Sequence, residues 1–85
     1  MVGQFVTSKA GHDKNMIYVI VAENEDFVML SDGRLKKLDR PKSKRKKHIQ
    51  PINKTVGDEL TDALNRGSAT DEQIKFAIKQ YKKES

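Results

Sequence analysis

The first half of the chain contains the short hydrophobic runs that are typical of β-strands. In residues 4–8, QFVTS, successive side chains alternate between the two sides of a strand. Residues 16–22, MIYVIVA, and residues 27–31, FVMLS, are rich in β-branched and aromatic side chains. The turn-forming residues 24–26, NED, separate the second run from the third. Because each run is too short for a stable helix, we predict strands.

The region after the third run contains further strand and turn signals. Asp32–Gly33 before RLKKL, residues 34–38, predicts a tight hairpin, because Asp-Gly suits turns with positive φ. A last strand is expected in KHIQPI, residues 47–52, where Pro51 favours an edge or a strand end. DRPKSKRK, residues 39–46, is expected to form a loop between these strands. Five closely spaced strands predict a small antiparallel barrel, which avoids open edges.

The last third of the chain changes to a helical period. Thr55 is predicted to cap a helix that ends at Arg66, with Asp58 completing a capping box and Gly67 suiting a left-handed stop. The apolar residues of this helix are spaced as one stripe. They are Val56, Leu60, Ala63 and Leu64.

A second helix is predicted to begin after Thr70, with Gln73 as the partner in its capping box. Its apolar stripe consists of Ile74, Ala77, Ile78 and Tyr81. Neither helix is long enough to be stable alone, so each must bury its stripe. The fold class predicted is mainly β with a C-terminal α-helical hairpin: residues 1–54 form the barrel with its basic loop, and residues 55–85 form the appendage.

Charge is distributed unevenly over a chain whose net charge is +5. Residues 1–54 carry twelve basic and six acidic side chains, whereas residues 55–85 carry five and six. Nine of the seventeen basic residues lie between Arg34 and Lys47, with only Asp39 against them. This density exceeds what solubility requires and predicts contact with a polyanion through its phosphates.

Several functional classes lack support in the residues. The chain has no cysteine, no apolar run of the ~20 residues that span a bilayer and no charged segment leading into an apolar one at its start. Ser8, His12 and Asp13 have the residue types of a catalytic triad without a glycine elbow, and His12 and His48 lack metal-ligand spacing. We therefore expect a cytoplasmic protein with no membrane contact, no enzymatic activity, no cofactor and no metal.

Three segments carry a resemblance to a known family. They are GQFVTSKAGHDKNMIYVIV (residues 3–21), NEDFVMLSDGRLKKL (24–38) and PKSKRKKHIQPI (41–52). The chain resembles the KOW-motif proteins, in particular KOW-type large-subunit ribosomal proteins and small stand-alone bacterial relatives that bind RNA. The resemblance implies a five-stranded SH3-like barrel whose first loop, Lys9–Lys14, touches RNA. Family members often have a second glycine where this chain has Asn15.

The candidate RNA-binding residues combine that loop with the basic stretch. They are Lys9, Gly11, His12, Lys14, Arg34, Lys36, Lys37, Arg40, Lys42, Lys44, Arg45, Lys46, Lys47 and His48. Gly11 would let a phosphate or ribose approach the backbone amides, and His48 either contacts RNA or packs as a partly buried ring. Phe5, Tyr18 and Phe27 are expected in the core rather than as stacking platforms, which favours structured RNA.

The predicted function is a monomeric RNA-binding protein whose partner is ribosomal RNA, on the family resemblance. One alternative is a protein-interaction module that docks on ribosomal or polymerase-associated proteins through the barrel or the helical hairpin. DNA binding is another, since phosphate contacts do not distinguish the two polymers, although no basic recognition helix is evident.

Overall fold

The computed structural model describes residues 1–8 and 16–84. Lys9, Gly11, His12 and Lys14 therefore lie outside the described residues, and their predicted role stays a prediction. Within the described ranges the chain forms five strands, a 3₁₀ helix at Lys46–His48 and two α-helices. The strands are β1 Gln4–Ser8, β2 Ile17–Glu23, β3 Phe27–Ser31, β4 Lys42–Arg45 and β5 Ile49–Thr55, and the helices are α1 Asp58–Arg66 and α2 Asp71–Glu84.

The strands form one antiparallel sheet in the order β4-β3-β2-β1-β5. This confirms the prediction of a five-stranded antiparallel sheet, and β1 and β3 have the bounds predicted from sequence. Pro51 lies in β5 at the edge of the sheet, as predicted, and pairs with Val6 on β1. A proline is tolerated in an edge strand because one side of its backbone has no neighbouring strand.

Two predictions between β3 and β5 are wrong. RLKKL, residues 34–38, is not a strand, and part of the predicted loop, Lys42–Arg45, is β4. Asp32 explains the first error: its Oδ1 accepts hydrogen bonds of 2.9 Å from the backbone N–H groups of Arg34 and Lys36. These bonds fold the chain into a compact loop rather than a two-residue hairpin.

The two helix starts differ in how well sequence predicted them. Thr55 is the last residue of β5, so its predicted cap is wrong; α1 begins at Asp58 with Gly57 as its N-cap. The capping box of α2 is confirmed, because Thr70 Oγ1 accepts from the Gln73 N–H at 3.2 Å and Gln73 Oε1 accepts from the Thr70 N–H at 2.8 Å. Gly67 ends α1 in the left-handed conformation, as predicted (φ 74°).

Buried residues lie on both faces of the sheet. One face carries the cluster Val6, Tyr18, Ile20, Val28, Leu30 and Ile49. On the other face, Phe5 and Val19 pack against Ile74 and Ile78 of α2, with Leu60 and Leu64 of α1 at the margin. The apolar stripe of α2 is therefore buried on the sheet through Ile74 and Ile78, and that of α1 is partly buried against it.

The sheet curls strongly toward the face of the first cluster. Lys44 Nζ on β4 donates a hydrogen bond of 3.3 Å to Ser8 Oγ on β1, although β3 and β2 lie between these strands. In a flat sheet the two strands would be roughly 14 Å apart, which a lysine and a serine side chain cannot bridge. Register shifts between Gln4 and Val6 and between Ile20 and Ala22 contribute, because bulges increase twist and bend a strand.

Candidate nucleic-acid interface

Strand β4 and the 3₁₀ helix after it present the densest group of cations in the described chain. We call Lys42–His48 the β4 cationic surface. Lys42 is paired with Leu30 and Lys44 with Val28. Both lysines therefore lie on the concave face of the sheet, the face that carries the first cluster. The guanidinium of Arg45 lies 5.3 Å from the ring centre of Phe27.

The last residues of this surface differ in how firmly they are held. Lys46 Nζ lies 3.9 Å from Glu23 Oε1, a distance typical of a weak surface ion pair. Lys47 and His48 are exposed to solvent. This exposure leaves the His48 ring accessible to a ligand and does not fit a partly buried ring.

Lys42 has the most perturbed environment of these cations. Burial lowers its pKa, and the nearby charge of Lys44 lowers it further. An ammonium group that is partly desolvated beside a like charge gains from a nearby anion. A nearby anion would therefore favour the charged form of Lys42.

The loop between β3 and β4 presents three more exposed cations, Arg34, Lys37 and Arg40. Within residues 1–8 and 16–84, none of them forms an ion pair with a carboxylate. The loop is held by its backbone: Ser31 Oγ donates to the Lys36 carbonyl at 2.7 Å, and the Leu38 N–H donates to Asp71 Oδ1 at 2.8 Å. The cations thus extend from a backbone that is fixed at both ends.

Helix α2 contributes cations that the sequence reasoning missed. A cleft of about 320 Å³ lies between this helix and the start of β2, and we call it the cationic cleft. Its charged residues are Asp32, Arg34, Lys75, Lys79 and Lys82. The three lysines recur at i, i+4 and i+7, the spacing of one helical face, so the periodicity of the basic residues could have identified them.

The two cationic surfaces lie beside the two ends of the segment 9–15. Ser8, which precedes this segment, contacts Lys44 of the β4 cationic surface. Met16, which follows it, lines the cationic cleft together with Arg34. The structure therefore brings two separate groups of cations to the strand ends from which the predicted RNA-contacting loop Lys9–Lys14 departs.

A metal site and a membrane-spanning helix each have requirements that the described ranges of the chain do not meet. No group of three or more His, Asp or Glu side chains there is arranged to hold a metal ion. No helix there has the length and apolar character to cross a membrane.

Comparison with known proteins gives no further guide to function. No protein-family model matches the chain, and no curated protein matches it in sequence.

Proposed function

We propose that this protein binds structured RNA, with ribosomal RNA as the expected partner, in the cytoplasm. The observation that carries the proposal is the position of the β4 cationic surface and the cationic cleft beside the two ends of segment 9–15. Phosphate groups are the ligands that suit many exposed cations on one fixed surface. The choice of ribosomal RNA rests on the resemblance to KOW-motif proteins.

The strand order also supports an SH3-like barrel as the scaffold. Four strands follow one another as an antiparallel meander, and β5 returns to pair with β1 after a single 3₁₀ turn. The hydrogen bond between Lys44 and Ser8 requires the curl that such a barrel has. On this proposal, the interior cluster around Val6 and Leu30 is the barrel core.

Structured RNA fits better than an unpaired strand because aromatic platforms are scarce. Phe5 and Tyr18 are 3% exposed and belong to the core, as predicted. The same prediction is wrong for Phe27, which is half-buried beneath Arg45 and outside the core. Recognition of single strands relies on several exposed rings on which bases stack. A surface of cations instead suits the regularly spaced phosphates and 2′-hydroxyls of a folded RNA.

The site can be tested with two matched double variants. Arg34→Ala with Lys79→Ala removes two cations of the cationic cleft, and Arg66→Ala with Lys83→Ala removes two exposed cations that lie outside both surfaces. Both variants lose one arginine, one lysine and two charges. We expect the cleft variant to bind a structured ribosomal RNA fragment about 10- to 100-fold more weakly at ~0.1 M salt, and the control to change about threefold or less. Equal losses would refute the proposed site.

The nature of the partner needs a second experiment. Competition between structured RNA and duplex DNA at matched salt distinguishes the two polymers, and we expect RNA to compete better because A-form grooves and 2′-hydroxyls differ from those of B-DNA. Nuclease treatment of a lysate should release the protein from its high-molecular-weight fraction. Persistence in that fraction after treatment would indicate a protein partner instead.

A further inference from the structure

A groove of about 530 Å³ lies on the side of the molecule formed by the end of β5, the first turn of α1 and one face of α2. Its apolar lining includes Phe5, Val56, Leu60 and Tyr81. The ring centres of Phe5 and Tyr81 lie 4.8 Å apart, so the two rings pack against each other in this part of the groove. The groove is large enough to accept one or two large side chains of a ligand.

Phe76 lies at this groove and is 62% exposed. It is one turn from Gln73 and Gln80 on the same face of α2. The apolar stripe of this helix packs on the sheet and does not include Phe76. Its ring is therefore available to a ligand in the groove, without a role in the core.

The charge of the groove is opposite to that of the rest of the chain. Three glutamates line it, Glu59, Glu72 and Glu84, against a single lysine, Lys54, so its lining has a net charge of 1 − 3 = −2. Glu84 lies 3.6 Å from Lys54, and Glu72 lies 2.7 Å from Lys75. Exposed ion pairs of this kind are weak because water screens them, so an incoming cation can replace either lysine.

Lys54 already occupies the kind of position that a basic ligand would take. Its ammonium group lies 5.9 Å from the ring centre of Tyr81 and beside the carboxylate of Glu84. Phe76 and Glu59 present a second aromatic ring and a second carboxylate at the same groove. A lysine or arginine bound there would gain both charge attraction and contact with a ring face.

We propose that this groove binds a basic segment of another protein, which places one apolar side chain against Phe76 and Tyr81 and its flanking lysines or arginines against the three glutamates. The carboxylates repel phosphates, so this surface is separate from the proposed RNA interface and goes beyond that function. The cationic surfaces and the groove share no lining residue, although the ion pair between Glu72 and Lys75 joins the groove to the cationic cleft.

The test uses the full chain and a displayed library of random peptides. We expect the peptides selected by the wild-type protein to carry a leucine or aromatic residue flanked by lysine or arginine. Phe76→Ser should weaken the best synthetic peptide at least about tenfold. Leu35→Ser is the matched control, because Leu35 is the other highly exposed apolar residue in the described chain, at 82%, and lies outside the groove.

A charge variant tests the second half of the proposal. Glu59→Gln, Glu72→Gln and Glu84→Gln together keep side-chain size and should weaken the same peptide at low salt while leaving RNA affinity the same or higher. Selection of acidic peptides, or of none that depend on Phe76, would overturn the proposal. So would a concentration-dependent dimer of the wild type that Phe76→Ser abolishes in sedimentation, since the occupant would then be a second copy of this chain.

Discussion

Lys44 Nζ on β4 lies 3.3 Å from Ser8 Oγ on β1, although two strands separate β4 from β1 in the sheet. This contact brings the basic stretch back to the strand end that precedes Lys9. It explains how a run of cations in the sequence becomes a surface of fixed shape. Lys42 lies two residues before Lys44 on the same face of β4, so the charge of Lys44 also lowers the pKa of Lys42.

The pKa of Lys42 should respond to the charge of Lys44. Burial is the larger cause that lowers this pKa and the Lys44 ammonium is the second, so Lys44→Gln should raise it without restoring the ordinary value of 10.5. Because the folded state binds this proton less tightly than the unfolded state, the charged Lys42 costs stability in full below its folded pKa, and the cost falls away as pH rises from that value to the ordinary value of 10.5. A side-chain NMR titration measures the change. An unchanged or lower pKa in the variant would contradict this account.

Asp32 should be important for the loop that carries Arg34 and Lys37. Its carboxylate accepts two backbone hydrogen bonds, and the residue is 8% exposed. Asp32→Ala should therefore lower the free energy of unfolding by about 1–3 kcal/mol, as measured in urea. Asp39→Ala, which removes an equal charge from an exposed position in the same loop, should change it by about 0.5 kcal/mol or less. Similar values for the two variants would show that the Asp32 bonds do not hold the loop.

Gly33 should tolerate alanine less well than Gly67. Both have positive φ, 73° and 74°, so both substitutions carry the backbone cost of roughly 1–2 kcal/mol. At Gly33 a Cβ atom would also overlap the carbonyl oxygen of Asp71, whereas open space surrounds Gly67. We expect Gly33→Ala to cost about 1–3 kcal/mol more than Gly67→Ala in thermal or chemical unfolding. Equal costs would mean that the loop does not pack on the start of α2.

The two threonines that sequence predicts as helix caps should behave differently. Thr70→Ala removes an observed capping box with Gln73 and should cost about 1 kcal/mol. Thr55→Ala changes an exposed residue of β5 and should cost about 0.5 kcal/mol or less. Chemical denaturation of both variants checks this difference. A larger loss at Thr55 would indicate that α1 begins earlier than Asp58.

Local patterns predicted much of the fold, and tertiary contacts explain the remainder. The strands around Val6, Ile20 and Leu30 follow from their apolar residues, which one core buries. Strand β4 has no apolar alternation, because lysines occupy the positions that face the concave side of the sheet. Its pairing with β3 holds it in place. The Asp-Gly pair predicted a hairpin, and the loop that forms instead is held by the Asp32 hydrogen bonds and by the packing of Gly33 against α2, a contact distant in sequence.

The candidate site was only partly predictable, because one group of its cations is contiguous in the sequence and the other is assembled by the fold. The cations of β4 form one dense run in the sequence, so composition alone identified them. The cationic cleft joins Arg34 to Lys79, which are 45 positions apart in the chain. Their proximity depends on α2 packing against the sheet through Ile74 and Ile78, which no local pattern specifies.

The dependence of RNA affinity on salt tests the central claim most directly. The affinity of the wild-type protein for a structured ribosomal RNA fragment should be measured from about 0.05 to 0.3 M salt. If about five phosphates are contacted, the logarithm of the association constant should fall against the logarithm of salt concentration with a slope of about −4. The Arg34→Ala, Lys79→Ala variant should reduce the magnitude of the slope by about 2, with no change in the Arg66→Ala, Lys83→Ala control. A flat slope for the wild type would contradict binding through the cationic surfaces.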